Sequence, residues 1–421
     1  MRQIPKLCVV SGALAAAFLA NSALSRTQRP DAGGLTAAMW QEDIRLLART
    51  LPARHVEAFH DEPEQHWRQA TEDLAREVER RSTNARLVGL LQLVARIGDA
   101  HTFLVLPEWM TKVPIGFYRF GSEIRVVRAA PGLESTLGAR LERVGQTPVA
   151  DAYARVTSVV AGAENEWFTN EEAPMFLTMP EVLEGLGLIR AGSTTPFELR
   201  TLKGARIQPA LRPVPPRSQI DWQYIAEPPI FWQRPAEPFW FTRFADHPKT
   251  VYLNFRGYNQ QALQNVGLEL LAEMAANPPD KLIIDLRHNG GGNFERGRRV
   301  IAELKKLPFS ARRGSVIVLI GRRTGSAAVV NARDFRRDLG ALLIGEPTGG
   351  RVNSYGDSNT FELPLLKLRV SYATVFHRFE EREISAVTPD QLIEPRWEDF
   401  AGGRDAALTW ALDHVPAPTR K

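Results

Sequence analysis

Hydrophobic and polar positions follow three different patterns along the chain. Between residues 35 and 96 apolar side chains recur every three or four positions, as at Ile44 and Leu47, with charged residues between them. This spacing predicts amphipathic helices, the last with Asn84 as its N-cap. From residue 107 to about 216 the apolar runs are short, β-branched or aromatic, and interrupted by Gly and Pro. Segments 114–127 and 139–149 are typical of hairpins, and 182–189 of a helix.

In the last third, continuous apolar runs alternate with helical patterns. Strands are predicted at 250–254, 281–286, 315–320 and 341–344, and helices at 263–276, 294–304 and 326–339. This alternation predicts a mainly parallel sheet that is covered on both faces. Ligands of such sheets gather beyond the carboxyl ends of the strands. Segments 287–293 and 324–328 follow strand ends of that kind.

The first 25 residues have the features of an export signal. Arg2 and Lys6 precede an uncharged stretch at 7–20, and small residues follow at 20–25. An uncleaved anchor is the alternative, but a bilayer span needs about 20 apolar residues. The single cysteine, Cys8, lies in this segment, so the mature chain would contain none. We therefore expect a signal peptide at 1–25, a helical module at 26–106, a β-rich cap at 107–215 and an α/β core at 216–421, in a periplasmic or secreted protein.

Composition and charge narrow the class of protein. The chain has 421 residues, 44% of them hydrophobic and 24% charged, with a net charge of +5. These values exclude a disordered, collagen-like or coiled-coil protein. Charges of both signs are interspersed, and no basic block is present that could follow a phosphate backbone. We expect no nucleic-acid partner and no stable membrane span.

Two loops of the predicted core carry candidate chemistry. Residues 285–293 (DLRHNGGGN) place three glycines between a strand and a helix, where main-chain N–H groups could hold a phosphate or an oxyanion. The segment matches neither the phosphate-loop nor the dinucleotide-binding spacing. Ser326 lies at the next strand-to-helix junction, where a serine is either a helix cap or a nucleophile.

A nucleophilic serine needs a base, and His101 is the first candidate. It lies in Gly98-Asp99-Ala100-His101-Thr102, where a helical region ends and a strand begins. His288, in the glycine loop, and His377, on a strand, remain alternatives. The other five histidines lie in charged or loop contexts and are expected at the surface: His55, His60, His66, His247 and His414.

The order and spacing of several motifs resemble one peptidase family. DLRHNGGG at 285–292, Ser-Ala-Ala at 326–328 and GEPTGG at 345–350 resemble the C-terminal-processing (tail-specific) serine peptidases. The Gly-Asp-x-His-Thr element at 98–102, Pro-Asp at 389–390 and Gly-Arg-Asp at 403–405 are similar to the tricorn-core-like branch. The likeness extends from about Trp40 to the C-terminus. It implies a crotonase/ClpP-like spiral core with an N-terminal helical module and a β-rich cap that holds a PDZ-like fragment at most.

The resemblance also implies roles for individual residues. Ser326 would be the nucleophile, His101 the general base, and the N–H groups of Gly291 and Ala327 the oxyanion donors. Glu383 would assist the base, although Glu380 and Glu381 lie close to it. Arg351 occupies the position of the lysine in serine–lysine dyads; because arginine stays protonated it cannot act as a base. We expect Arg351 to bind a substrate carboxylate or to form a structural ion pair, with Gly290 also at the substrate.

The resulting prediction is a serine peptidase that acts on a peptide or protein through an acyl-enzyme, without a metal or organic cofactor. A non-catalytic binding protein for an apolar ligand or peptide on the same fold is the alternative. An acyl-CoA enzyme shares the core, but export and the lack of a basic groove for the nucleotide argue against it.

Overall fold

The computed structural model describes residues 34–416, so the signal peptide predicted at 1–25 lies outside the described residues. The chain forms two compact units, each built from two separate stretches. Residues 34–225 and Asn353–Arg378 form what we call the N-terminal unit. Ala226–Val352 and residues 379–416 form the α/β unit. The predicted helical module and β-rich cap therefore lie in one compact unit, and the α/β unit begins ten residues later than the predicted boundary at 216.

Six helices belong to the N-terminal unit. They are α1 (Ala37–Arg54), α2 (Glu64–Glu77), α3 (Thr83–Ala95), α4 (Val149–Thr157), α5 (Glu166–Phe176) and α6 (Pro180–Gly185), with short 3-10 turns at Val78–Arg80 and Glu134–Thr136. Ser82 caps α3 by accepting the Ala85 N–H at 3.2 Å. The N-cap prediction for Asn84 is thus wrong, because Ser82 already satisfies the N-terminal donors of this helix.

The strands of the N-terminal unit form three antiparallel groups. They are β1 (Phe103–Leu104), β2 (Ile115–Phe120), β3 (Glu123–Ala129), β4 (Arg140–Val144), β5 (Thr147–Pro148), β6 (Phe197–Arg200), β7 (Arg206–Ile207) and β8 (Gln223–Tyr224), then β14 (Ser354–Gly356), β15 (Asn359–Leu363), β16 (Leu368–Tyr372) and β17 (Val375–His377). The largest sheet has the order β2-β3-β4-β6-β7, with β5 on β4 and β8 on β3. Both predicted hairpins are confirmed, as β2–β3 and β4–β5. A second sheet, β1-β16-β15, pairs Phe103 with Ser371.

The α/β unit contains a six-stranded sheet. Its strands are β9 (Phe239–Phe244), β10 (His247–Phe255), β11 (Lys281–Asp285), β12 (Val316–Ile320), β13 (Leu342–Gly345) and β18 (Gln391–Leu392), in the order β18-β13-β12-β11-β10-β9. All neighbouring pairs are parallel except β10 with β9. The predicted parallel sheet is confirmed, since a strand buried on both faces produces a continuous apolar run.

Helices cover both faces of this sheet. The α/β unit contains α7 (Gln260–Ala276), α8 (Phe294–Lys305), α9 (Ala327–Leu339), α10 (Trp397–Ala401) and α11 (Ala406–Asp413), with 3-10 turns at Ile230–Trp232 and Pro308–Ala311. Residues such as Leu253 and Ile284 pack with α7, α8 and α9. Their neighbours Tyr252 and Ile283 point to the opposite face and pack with α11. Because β11, β12 and β13 are parallel, the loops that follow them lie at one edge of the sheet.

Within residues 34–416 no helix is both long and apolar enough to cross a bilayer.

Candidate active site

Ser326 lies at the bend between β12 and α9, directly before the first residue of the helix. Its main chain has φ +48° and ψ −124°, a left-handed conformation that is unfavourable for any residue with a Cβ. Among the described residues, its hydroxyl caps none of the helix N–H groups. The helix-cap alternative is therefore wrong for this serine. A strained serine at a strand-to-helix turn is the arrangement that presents a nucleophile in α/β hydrolases.

Thr324 fixes this bend by connecting three loops. Its Oγ1 donates to the Leu286 carbonyl at 2.9 Å and accepts the Gly321 N–H at 3.0 Å. Its own carbonyl accepts the Gly349 N–H at 3.0 Å. Because Thr324 is fully buried, these bonds hold the loops after β11, β12 and β13 together. They also maintain the strained conformation two residues further on.

The glycine loop lies directly against Ser326. Gly291 has φ +112°, and a Cβ placed on it would lie 2.6 Å from the Ser326 Cβ and 3.1 Å from its Oγ. The carbonyl of Asn289 accepts the Gly325 N–H at 3.0 Å, which ties the loop to the bend. Glycine is thus required at 291 both by its backbone angle and by the close approach to the serine.

The two predicted oxyanion donors have different surroundings. The N–H of Ala327, at the first position of α9, belongs to the donors that a helix leaves without an internal acceptor. The N–H of Gly291 donates to the Asn289 Oδ1 at 3.0 Å. The Asn289 Nδ2 in turn donates to the Phe255 carbonyl at 2.9 Å. Gly290 is half-buried in the same loop.

A buried ionic network supports the loop at the end of β11. The Arg287 Nη2 lies 2.6 Å from the Asp285 Oδ2 and 2.8 Å from the Asp405 Oδ2. Burial opposes the charge of Arg287, but the two carboxylates outweigh it and raise its pKa well above the usual range. The Tyr252 hydroxyl donates to Asp285 at 2.9 Å, and the Phe231 ring covers the guanidinium at 4.0 Å. These contacts give the glycine loop a rigid base.

His288 has a structural contact in this loop. Trp232 donates its ring N–H to the His288 Nε2 at 2.8 Å, and Phe231 packs edge-on against the imidazole at 4.9 Å. The Nε2 lone pair is therefore engaged with Trp232. This contact weakens the alternative in which His288 is the base.

His101 belongs to the N-terminal unit, two residues before the start of β1. Its N–H donates to the Asp99 Oδ1 at 2.8 Å, and its carbonyl accepts the Ser371 hydroxyl at 2.9 Å. The imidazole is hydrogen-bonded to the Tyr355 carbonyl. Burial lowers the pKa of His101, and the charge of Asp99 only partly opposes this effect. The main-chain hydrogen bonds thus fix the position of His101, and burial disfavours the charged form of its ring.

His55 was expected at the surface, and that prediction is wrong. Its side chain is 0% exposed, and its Nε2 lies 2.9 Å from the Asp99 Oδ2. The ring of His60 is also largely covered and packs 4.2 Å from that of Tyr355. The sequence around His55 and His60 shows no periodic apolar pattern. Their burial depends on Asp99 and Tyr355, which come from distant parts of the chain. Of the other three histidines that were expected at the surface, His66 is exposed, and His247 and His414 are half-buried.

Glu383 and Arg351 lie on two adjacent segments of the α/β unit. The Val352 N–H donates to the Ile384 carbonyl at 3.1 Å. Arg351 and Glu383 each directly precede one residue of this hydrogen-bonded pair. Glu383 is exposed and Arg351 half-buried. Glu380, the nearby alternative, contacts the guanidinium of Arg333 on α9. The roles of Glu383 and Arg351 remain predictions.

Within residues 34–416 no group of three or more His, Cys, Asp or Glu side chains is arranged to hold a metal ion.

No protein-family model and no curated protein matches this chain. Among solved structures, mature CPAF complexed with lactacystin matches with a TM-score of 0.63 and 14% identity, over 90% of this chain and 97% of that chain. Mature CPAF matches with a TM-score of 0.61 and 12% identity, over 91% and 100%. The tricorn protease matches 90% of this chain and 36% of its own, at 15% identity and a TM-score of 0.45.

The chain therefore has a mixed helix-and-sheet fold similar to that of CPAF across nine-tenths of its length.

Proposed function

We propose that this protein is an exported serine peptidase, periplasmic or secreted, that hydrolyses peptide bonds through an acyl-enzyme on Ser326. The observation that carries the proposal is the left-handed main chain of Ser326, with the Gly291 backbone packed against its Oγ. The motif resemblance and the CPAF-like fold support it. A crotonase/ClpP-like spiral core is the fold class that we propose with this function.

His101 is the general base in this proposal. A base must be neutral before it accepts a proton, and burial favours the neutral form of His101 by lowering its pKa. Its main chain is fixed on both sides by hydrogen bonds, as a positioned proton acceptor requires. Glu383 assists by stabilising the imidazolium that forms.

The reaction then follows the acyl-transfer sequence. The Ser326 Oγ bonds to the scissile carbonyl carbon, its proton passes to His101, and the carbonyl electron pair moves to the oxygen. The N–H groups of Ala327 and Gly291 stabilise this oxyanion, for which Gly291 exchanges its bond to Asn289. When the carbon–nitrogen bond breaks, the leaving amine takes the proton from His101. Water hydrolyses the ester by the same route. Arg351 and Gly290 contact the substrate, with Arg351 binding a carboxylate.

Labelling with a fluorophosphonate probe, which reacts with activated serines, tests the proposal. We expect the wild-type protein to be labelled and Ser326→Ala to lose all labelling and all peptide hydrolysis. Ser82→Ala is the matched control, because Ser82 is a serine at a helix start that does cap its helix. This variant should lose about 0.5–2 kcal/mol of stability and keep full labelling.

Lactacystin, the compound held in one matched CPAF structure, provides a second probe. A folded wild-type protein that neither probe modifies and that hydrolyses no peptide would contradict the proposal and favour the non-catalytic binding protein.

A further inference from the structure

Asp99 is a buried carboxylate with both oxygens in use. Its side chain is 1% exposed; Oδ1 accepts the His101 N–H at 2.8 Å, and Oδ2 lies 2.9 Å from the His55 Nε2. Burial alone would raise the pKa of Asp99, but the interaction with His55, both electrostatic and by hydrogen bond, and the hydrogen bonds from Thr102 and the His101 main chain more than offset it and lower the pKa. Asp99 is therefore an anion at neutral pH inside the N-terminal unit.

The hydrogen bonds of His55 define its tautomer. The Glu57 N–H donates to the His55 Nδ1 at 2.9 Å, so that nitrogen carries a lone pair. With Nδ1 acting as an acceptor, Nε2 carries a ring hydrogen, and this nitrogen faces Asp99. His55 thus donates a hydrogen bond to the carboxylate and fixes its orientation. The proposed reaction assigns no role to His55.

Several charged groups act on His101, and they differ in burial. Asp99 and Asp357 raise its pKa, and His377 lowers it. Asp357 is 69% exposed and pairs with His377 at 3.5 Å, so water and salt screen its charge. Glu164 accepts the Ala100 N–H at 3.3 Å, one residue before His101. Of the two carboxylates that raise the pKa of the ring, Asp99 is buried and Asp357 is exposed, so the effect of Asp99 is the less screened.

We propose that Asp99, oriented by His55, is a positioning residue for His101: it fixes the main chain of the base and supplies the buried negative charge that stabilises the imidazolium. This inference rests on the proposed function. It assigns to Asp99 electrostatic support that the resemblance gave to Glu383 alone. Because Asp99 bonds the main chain of His101, it acts through His101 without touching the substrate.

The test is the pH dependence of Asp99→Asn. Asparagine keeps the size of the side chain and one acceptor oxygen but removes the charge. We expect kcat to fall about 10–100-fold with KM nearly unchanged. The acidic limb of the kcat/KM profile should move to lower pH, because loss of the anion lowers the pKa of His101 further. NMR titration of the His101 ring should show the same shift without any substrate.

Asp43→Asn is the matched control. Asp43 is also a fully buried carboxylate of the N-terminal unit, and its Oδ2 accepts the N–H groups of Leu365 and Leu366 at 3.0 and 2.8 Å. This variant should lose stability but keep the wild-type pH limb and the wild-type His101 titration. If Asp99→Asn fails to fold, the pair His55→Gln and His55→Leu replaces it: glutamine retains a donor to Asp99 and should keep most activity, whereas leucine should not.

Two results would overturn the inference. One is an Asp99→Asn enzyme with an unshifted pH limb and an unshifted His101 titration. The other is an activity loss in Asp99→Asn that matches the loss in Asp43→Asn, which would make Asp99 a residue of the fold only. A wild-type protein without Ser326-dependent hydrolysis would instead refute the proposed function. The NMR titration would still report whether Asp99 acts on His101, so the two failures are distinguishable.

Discussion

Replacing Ser326 by glycine should stabilise the protein while removing its proposed nucleophile. At φ +48° and ψ −124° a Cβ is sterically unfavourable, and such strain costs about 1–3 kcal/mol. Glycine adopts this conformation freely but loses more backbone entropy on folding, by roughly 0.5–1 kcal/mol relative to alanine. Ser326→Gly and Ser326→Ala both lack the hydroxyl, so their difference isolates the backbone. We expect the glycine variant to be more stable than the alanine variant by about 1 kcal/mol.

Thermal unfolding of the two variants measures this difference. For a unit of this size, about 1 kcal/mol corresponds to roughly 2–4 °C in Tm. Ser158 provides the control, because it has ordinary right-handed angles, φ −67° and ψ −15°. There the order should reverse, with Ser158→Ala more stable than Ser158→Gly. A Ser326→Gly protein that melts no higher than Ser326→Ala would show that the bend is not strained and would remove the main support for the nucleophile.

Three further predictions concern single side chains. Gly291→Ala would place a Cβ 2.6 Å from the Ser326 Cβ, so kcat should fall about 10²–10³-fold. Gly121→Ala is the control: Gly121 also has a positive φ, +55°, but no described atom lies within 4 Å of the added Cβ, so this variant should keep normal kinetics. Arg351→Ala should raise KM with little change in kcat, and only for peptides with a free carboxylate; an equal effect on amidated peptides would contradict carboxylate binding. Burial and the neighbouring Arg128 lower the pKa of Lys112 to about 8, so mass spectrometry after mild acylation at pH 8 should show faster modification of Lys112 than of the exposed Lys306. Arg128→Met should slow that modification, and an unchanged rate would contradict the charge effect.

The strands and helices of the α/β unit could be predicted from sequence because their signals are local. The strand predicted at 281–286 is observed at Lys281–Asp285, and the helix predicted at 294–304 at Phe294–Lys305. In both elements, the order of apolar and polar residues along the sequence matches the burial of those residues in the structure. Strands β14 to β16 were not predicted, whereas His377, which was expected on a strand, is the last residue of β17. They are short, and β16 pairs with β1, which lies more than 260 residues earlier.

The chemistry of the site was only partly predictable, because it depends on contacts between distant segments. The sequence marks Ser326 as a residue at a helix start, but its strain is imposed by the bonds of Thr324 and Asn289 to other loops. His55 has no periodic pattern around it, and its burial depends on Asp99, 44 positions later, which accepts a hydrogen bond from its Nε2. The contact between His55 and Asp99 is therefore evident only from the folded structure.

The interleaved order of the two units constrains when the proposed base can be assembled. The N-terminal unit needs residues Asn353–Arg378, which are synthesised after the Ala226–Val352 stretch of the α/β unit. Ser371, which donates to the carbonyl of His101, and Tyr355, whose carbonyl binds its ring, both belong to this late segment. A chain that stops before residue 353 therefore contains Ser326 and the glycine loop but cannot fix His101. Such long-range closure slows folding, and here it also delays assembly of the proposed base until almost the whole chain has been made.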